Sequence, residues 1–436
     1  MRPVQFGSMW AVMTDQARAQ PQAAGVAARA AALRLLDAVL RKGLPLESAL
    51  DSAARGLERA DDRALAHALA AEVLRRLPDL DALIDGATAK PLPRDAKARM
   101  ALRIALAQAL QLGTPPHAAI ATVLPLVDGG PRRLVHGVFG ALSRKGVALP
   151  ELPTLPEGVA ERWTDIWGSE VVEAARRAIA APPPLDLTLR ETKSDWAERL
   201  GGISLAPGHI RLAPGARVTD LPGFAEGAWW VQDLSASLPA HMIGQGSGRA
   251  LDLCAAPGGK TMQLAAAGWE VTAVDLSDAR LKRVRENLAR TRLTARLVVG
   301  DALTFNDAPY DAVLLDAPCS ATGIFRRHPD VLYRARPRVI ATMAERQQAM
   351  LARAASLVKP GGCLIYSVCS LEPEEGEKVA DAFLATHSSF APEAIGAEEL
   401  PEGMAPDAEG RLRMLPGMFA DQGGTDGFFV ARFRRT

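Results

Sequence analysis

Residues 250–261 read Ala-Leu-Asp-Leu-Cys-Ala-Ala-Pro-Gly-Gly-Lys-Thr. A short apolar run passes directly into Cys254-Ala255-Ala256-Pro257, turns at Gly258-Gly259, and opens a helix at Lys260 and Thr261. Strand, tight turn and helix start let a ligand approach the backbone at the carboxyl end of a strand. Gly259-Lys260-Thr261 invites a triphosphate-loop reading. That loop needs a glycine five positions before its second one, and Cys254 stands there. Without it the nest of amides that wraps phosphates is not made. The dinucleotide glycine pattern fails as well.

Around this stretch, short apolar runs alternate with helical segments. Val271–Val274, Leu297–Val299, Ala312–Leu315 and Cys363–Tyr366 read as strands, and Ala279–Arg290 and Ile340–Leu357 as helices. The alternation predicts an α/β domain over residues 241–436, with a parallel sheet and crossover helices. The second strand ends at Asp275, sixteen positions after Gly259, where a carboxylate can accept hydrogen bonds from both hydroxyls of a ribose. The third ends at Gly300-Asp301, where a carboxylate could take an adenine amino group. One acid at a strand end is usually a helix cap. Acids ending successive strands beyond a glycine turn point to an adenosine, and without a triphosphate loop the expected cofactor is S-adenosylmethionine.

The chain has four cysteines, no CxxC pair, and His328 as the one histidine near them in sequence, so a disulfide scaffold is excluded and no metal is expected. Cys363, mid-strand among apolar neighbours, reads as a small hydrophobe. Cys254 supplies shape and backbone contacts in the adenosine turn. Cys319, in Asp316-Ala317-Pro318-Cys319, and Cys369, in Val368-Cys369-Ser370, each lie just past a strand, on the edge where ligands bind. Carbon-5 of a pyrimidine is not nucleophilic until a thiolate adds to carbon-6, so a thiol beside a methyl donor has a use. An acid near the ring stabilises a protonated ring nitrogen, and Asp316 is placed for it. These residues alone leave open which cysteine attacks.

The rest of the chain reads differently. It has 436 residues, 48% apolar and 23% charged, ordinary for a globular protein and long enough for several domains. No apolar run reaches membrane length, and Arg2, Asp15 and Arg18 interrupt the start, so neither a signal nor a membrane span is expected and the cytoplasm is the predicted compartment. Residues 1–23 predict a flexible tail in which Met9 and Met13 leave the start open. Residues 24–146 are helical, with Val26, Ala30, Leu33, Leu36 and Leu40 on one stripe and Gly43 as a C-cap. Residues 147–240 predict a proline-stiffened linker, Leu149–Gly158, followed by a small α/β subdomain. The net charge is +1, but residues 24–150 hold eighteen Lys and Arg against twelve Asp and Glu, a mild basic excess that suits nucleic acid.

The runs at 251–261, 314–323 and 366–375 strongly resemble the Sun/Fmu-type family of RNA cytosine carbon-5 methyltransferases. Val231-Gln232-Asp233, Arg326-Arg327-His328-Pro329-Asp330 and Asp426-Gly427-Phe428-Phe429 match it too. The helical front looks like the NusB-type RNA-binding domain, carried by residues 114–120 and 135–145. The resemblance implies a Rossmann-like methyltransferase domain, a small RNA-binding subdomain and an all-α front, acting on small-subunit (16S) ribosomal RNA as a monomer. Pro318-Cys319 looks like the nucleophile pair of DNA cytosine methyltransferases. In the RNA family the later cysteine attacks, which implies Cys369 as nucleophile and Cys319 as an aid to product release. Donor contacts are implied for Cys254, Ala255, Ala256, Pro257, Gly258, Gly259, Lys260, Asp275, Asp301 and Asp316, with Lys260 also facing the base. The family usually has threonine before the nucleophile; here it is Val368.

RNA contacts are expected from Arg326, Arg327 and His328, with Arg334, Arg336 and Arg338 beyond, and from the cations of the Ala279–Arg290 helix. The target base must leave its stack, so a single-stranded or loop cytosine is expected. Trp229 and Trp230 read as packed rather than stacked on bases. The acidic run Glu372–Glu377 reads as a helix cap without chemistry. The rival readings are the same reaction on transfer RNA and a non-catalytic RNA-binding or assembly factor.

Overall fold

The computed structural model describes residues 25–192 and 194–436, so the tail expected at residues 1–23 lies outside the described residues. Between Val26 and Arg144 the described chain forms seven α-helices around one core. Alanine lets these helices approach closely. In Val26–Leu40 the fully buried face is Ala28, Ala31, Ala32, Leu35, Leu36 and Val39, rotated from the stripe expected, so Ala30, Leu33 and Leu40 are only partly covered. Helix Lys97–Leu110 runs through the middle with Ala98 to Gln108 all buried. Its Arg103 forks onto both carboxylate oxygens of Asp81 at 2.8 Å.

Residues 149–156 form neither helix nor strand, and two further helices, Glu157–Trp167 and Ser169–Ala180, follow them before the small sheet. Pro156, read as a stiffener, is the N-cap of the first, and Gly168, at φ +87°, turns the chain between them. Strands β1 (Leu185–Leu189), β2 (His209–Leu212) and β3 (Trp229–Val231) then form a small antiparallel sheet in the order β2-β1-β3. Trp229 and Trp230 are buried, as read. The division expected after residue 240 falls inside helix Leu234–His241, whose Leu234 and Leu238 pack on the large sheet.

The large sheet contains β4 (Arg249–Leu253), β5 (Glu270–Asp275), β6 (Arg296–Val299), β7 (Tyr310–Asp316), β8 (Val358–Val368), β9 (Phe390–Pro392), β10 (Leu412–Met414) and β11 (Phe428–Arg435). Their order is β10-β11-β8-β7-β4-β5-β6, with β9 on the far end of β11. The five strands read from the sequence are β4 to β8, and they are parallel. What was not foreseen is β11, which runs antiparallel to β8 and makes the sheet mixed. The chain leaves β4 toward β5 and β6, then returns on its other side as β7 and β8. That reversal opens a crevice at the carboxyl end of β4, where α/β sheets bind ligands. No helix of the described residues is long and apolar enough to cross a membrane.

Candidate active site

The residues singled out after strands β4, β5, β6, β7 and β8 lie at this sheet edge. Beyond β4, Cys254 takes φ +64° and Gly258 φ +103°, folding the loop back so that the next helix starts at Gly259. A Cβ on Gly258 would stand 2.9 Å from Val284, so only glycine fits where the loop crosses the helix Asp278–Thr291. A cavity of about 310 Å³ opens against the loop, lined among others by Asp252, Cys254, Pro257, Lys260 and Asp316. Lys260 Nζ lies 2.7 Å from Asp316 Oδ2, and Ser367 Oγ donates to the other oxygen at 2.8 Å. Asp316 is thereby fixed at the mouth of the crevice.

Asp275 ends β5 and Asp301 lies two residues past β6, and neither lines this cavity. Asp275 is buried, accepts from the amides of Ala256 and Ser277, and pairs with Arg280 at 3.1 Å. Asp301 accepts from the Leu303 amide and is half-buried. Asp252 is fully buried, takes the Thr261 hydroxyl at 2.5 Å on one oxygen, and has no partner for the other among the described residues. Burial pushes its carboxyl up to about 7, only partly opposed by that hydroxyl and by Lys260.

A folded-state value above the unfolded one means that Asp252 favours folding at low pH and loses that contribution as pH rises from about 4 to about 7. We expect Asp252→Asn, without ligand, to gain stability over wild type by on the order of 4 kcal/mol between about pH 4 and about pH 8. Urea unfolding of both proteins across that range checks this; parallel pH profiles would contradict it.

Cys319 and Cys369 follow the adjacent strands β7 and β8, and their Sγ atoms are 3.5 Å apart. The hydrogen bond to Cys369, burial and nearby negative charge hold the Cys319 thiol well above its ordinary range, so it keeps its proton at neutral pH. Both loops close on one buried carboxylate that sequence reasoning missed. Glu375 accepts from the Ser320 amide at 2.8 Å, the Ser320 hydroxyl, the Ser370 hydroxyl at 2.6 Å and the Gln347 amide at 3.1 Å. Glu372, also fully buried, accepts from Arg162 at 2.7 and 3.0 Å and from Trp163 at 3.1 Å. Thus helix Glu157–Trp167 buttresses the segment after Cys369. The run Glu372–Glu377 is therefore more than a cap, and its helix starts only at Glu377.

Gly323 and Gly427 meet backbone to backbone: the Gly427 amide donates to Gly323 O at 2.9 Å, and a Cβ on Gly323 would stand 2.0 Å from Gly427 O. Gly323 in turn donates to Cys369 O at 3.0 Å, so the chain terminus is tied to the cysteine loop. Val368 is buried in the apolar core of the sheet, where a threonine hydroxyl would need a partner.

The structure corrects the RNA contacts expected from Arg326. Its guanidinium is buried, donating to Asp426 at 2.6 Å, Asp233 at 2.7 Å and Gly423 O at 2.8 Å. Arg327 shares both carboxylates, at 2.7 and 3.2 Å, and also donates to Pro184 O. Each guanidinium nitrogen of Arg326 already has a protein partner and the side chain is buried away from any phosphate, and this cluster knots together the segments at 231–233, 326–330 and 426–429. His328 is half-buried in the turn leading to Asp330. On the helix Asp278–Thr291, Arg290 is likewise committed, donating to Phe224 O and Trp229 O.

Residues 243–434 match the family described as 16S rRNA methyltransferase RsmB/F, and residues 26–132 match the NusB family. The ribosomal RNA small subunit methyltransferase B of Xylella fastidiosa (strain Temecula1) is 37% identical, covering 94% of this chain and 98% of its own length. That of Xanthomonas campestris is 36% identical, covering 95% and 98%. Among solved structures, PH0851 aligns with a TM-score of 0.72 at 23% identity over 94% of this chain and 99% of its own. NSun6 from Pyrococcus horikoshii aligns with a TM-score of 0.55 at 18% identity over 64% of this chain and 98% of its own. At those identities the two structures speak to the fold.

Proposed function

The chain belongs to the 16S rRNA methyltransferase RsmB/F family, and from that premise we propose that it methylates small-subunit ribosomal RNA at carbon-5 of a cytosine, through a covalent adduct on Cys369. The observation that carries this reading is the pair of thiols 3.5 Å apart at adjacent strand ends, beside an aspartate fixed by Lys260 and Ser367. S-adenosylmethionine, when bound, supplies an electrophilic methyl group. The residues present suit it: a glycine-floored loop leaves room for a nucleoside, and Asp316 at the mouth of the cavity favours a cationic donor. Cys254 to Lys260, Asp275, Asp301 and Asp316 would hold it.

In this reading Cys369, as a thiolate, adds to carbon-6 of the cytosine while the ring nitrogen takes up a proton from solvent. Asp316 stabilises that proton there, and it returns to solvent when Cys369 leaves. Carbon-5 takes the methyl group. Its proton then passes to a base, the ring double bond re-forms, and Cys369 leaves as thiolate. Cys319, still protonated and 3.5 Å away, donates a hydrogen bond to that leaving sulfur. A small-subunit transcript made with 5-fluorocytidine tests the adduct, because the fluorine cannot depart as a proton does. A donor-dependent complex that survives denaturing gels, with the RNA on Cys369, is expected. Its absence from a protein that methylates ordinary transcript would rule out the covalent route.

Glu375 acts here as a positioning residue. Glu375→Ala leaves buried Ser320 and Ser370 donors unpaired and frees both loops, and a shift near 1 Å in a reacting group costs about 10²-fold. We expect that loss in kcat, with the KM for RNA within about threefold and partial rescue by Glu375→Gln. Equal activity, or a change confined to KM, would contradict the role.

A further inference from the structure

A second cavity, of about 280 Å³, opens beside Cys319, and its walls come from two domains. Cys319 and Ser320 form part of its lining. One wall is the turn Arg41-Lys42-Gly43 that ends helix Val26–Leu40 of the helical bundle. The other runs from Tyr333 through Arg336 to the first turns of helix Pro337–Ser356. Arg41, Lys42, Arg334 and Arg336 line it, and no carboxylate is among the lining residues described.

The seam between these walls is built. Arg334 Nε donates to Gly43 O at 3.0 Å, the Leu46 amide donates to Asp330 at 3.2 Å, and Tyr333 OH donates to Leu74 O at 2.7 Å. Tyr333 also packs against the core of the bundle. The turn is therefore held in place over the Cys319 loop. Asp37 lies 2.6 Å from Arg41 and 3.6 Å from Lys42, and Asp330 lies 3.3 Å from Arg334, so two carboxylates contact the four cations of the groove. Asp81, Asp85, Asp95 and Glu157 line the adjoining cavity that Arg41 and Arg336 also border. Arg336 is exposed and has no side-chain hydrogen bond or salt bridge among the described residues. Positive charge is thus in excess where a strand would pass to deliver a base to the cysteines.

We propose that this interdomain groove seats the phosphate backbone of single-stranded RNA next to the target cytosine, with Arg41 and Lys42 of the helical domain as its grip. The inference rests on the reading that Cys369 and Cys319 act on a base in RNA. Phosphate contacts set register without reading sequence, and each one lost lowers the salt dependence of binding by about 0.7–0.9 in log–log slope. It assigns the helical domain a specific role: it completes the substrate channel rather than binding RNA elsewhere.

The test compares full-length wild type, the double variant Arg41→Glu with Lys42→Glu, and a control double variant Arg132→Glu with Arg133→Glu on an exposed face of the same bundle. Affinity for unmethylated small-subunit RNA is measured from about 0.05 to about 0.3 M salt, together with kcat and KM for methylation. The expected result is at least about a tenfold weaker affinity and a slope reduced by about 1.5 for the first double variant only, with kcat at saturating RNA within about threefold. If wild type methylates RNA while the Arg41/Lys42 variant keeps its affinity and slope, the groove assignment falls and the reaction stands. Equal weakening by the control variant would also overturn the assignment, since the effect would then be one of overall charge. If wild type makes no methylated RNA at all, the underlying reading falls and takes this inference with it.

Discussion

Cys369→Ala is expected to lower methyl transfer by at least about 10⁴-fold, to the background of the assay. The neutral cytosine ring offers carbon-5 no usable electron density until a thiolate has added at carbon-6, so nothing downstream of that addition proceeds. Cys319 does not take over. Its thiol is held protonated by the Cys369 hydrogen bond, by burial and by the charge of Glu375, and the last two persist in the variant. It also starts 3.5 Å from the position the nucleophile occupied. The substitution removes one sulfur from a half-buried loop position, so the fold is expected to hold within about 1 kcal/mol. Methyl incorporation and thermal unfolding, run on the same preparation, separate the two effects. A Cys369→Ala protein that keeps a tenth of the activity, alongside an inert Cys319→Ala, would exchange the assignments.

The second large effect is of a different kind. Cys319→Ala is expected to complete the attack but not the release, accumulating an RNA–protein species that survives denaturing gels, one RNA per protein. Removing the Cys319 thiol removes the hydrogen bond that the departing Cys369 thiolate would receive, and hydrogen bonds to charged groups are worth about 1.5–3 kcal/mol. Turnover is therefore expected to fall about 10- to 10²-fold, while single-turnover adduct formation persists. Free RNA in that assay would count against the release role. The Cys319→Ala, Cys369→Ala double variant is expected to give no adduct, which ties the trapped species to Cys369.

The parts of this site that lie on one segment were readable from one segment. Cys254 to Thr261, Asp316 to Cys319 and Cys369 each follow an apolar strand, and strands β4 to β8 carry enough β-branched and aliphatic residues to declare themselves. What depended on distant pairing was not readable. Glu375 meets Ser320 across 55 positions and Gln347 across 28, and in sequence it is one acid in an acidic run. Arg326 and Arg327 resemble phosphate ligands because density of arginine is the same for an RNA face and an ion-pair knot. Only Asp233 and Asp426, 93 to 100 positions away, distinguish them. The prolines at 150, 153 and 156 lie in a stretch without helix or strand, and the helix that Pro156 then caps had no place in the sequence reading, because proline both stiffens an extended chain and starts a helix. Strand β11 was visible only as the motif Asp426-Gly427-Phe428-Phe429. Its antiparallel pairing with β8 is a tertiary fact.

The resemblance, too, has a physical counterpart. Val231-Gln232-Asp233, Arg326-Arg327 and Asp426-Gly427 are far apart in the chain yet meet in one buried cluster, with Gly427 against Gly323 and Gly323 against Cys369. Through Gly427 and Gly323 this cluster is tied to the loop that carries Cys369.

The central claim is tested most directly by nucleoside mass spectrometry of unmethylated small-subunit RNA, and separately of transfer RNA, after incubation with the protein and S-adenosylmethionine. The account predicts 5-methylcytidine in the small-subunit RNA, at one position, and none without the donor. A methylated nucleoside other than 5-methylcytidine, or 5-methylcytidine in the transfer RNA alone, would contradict it.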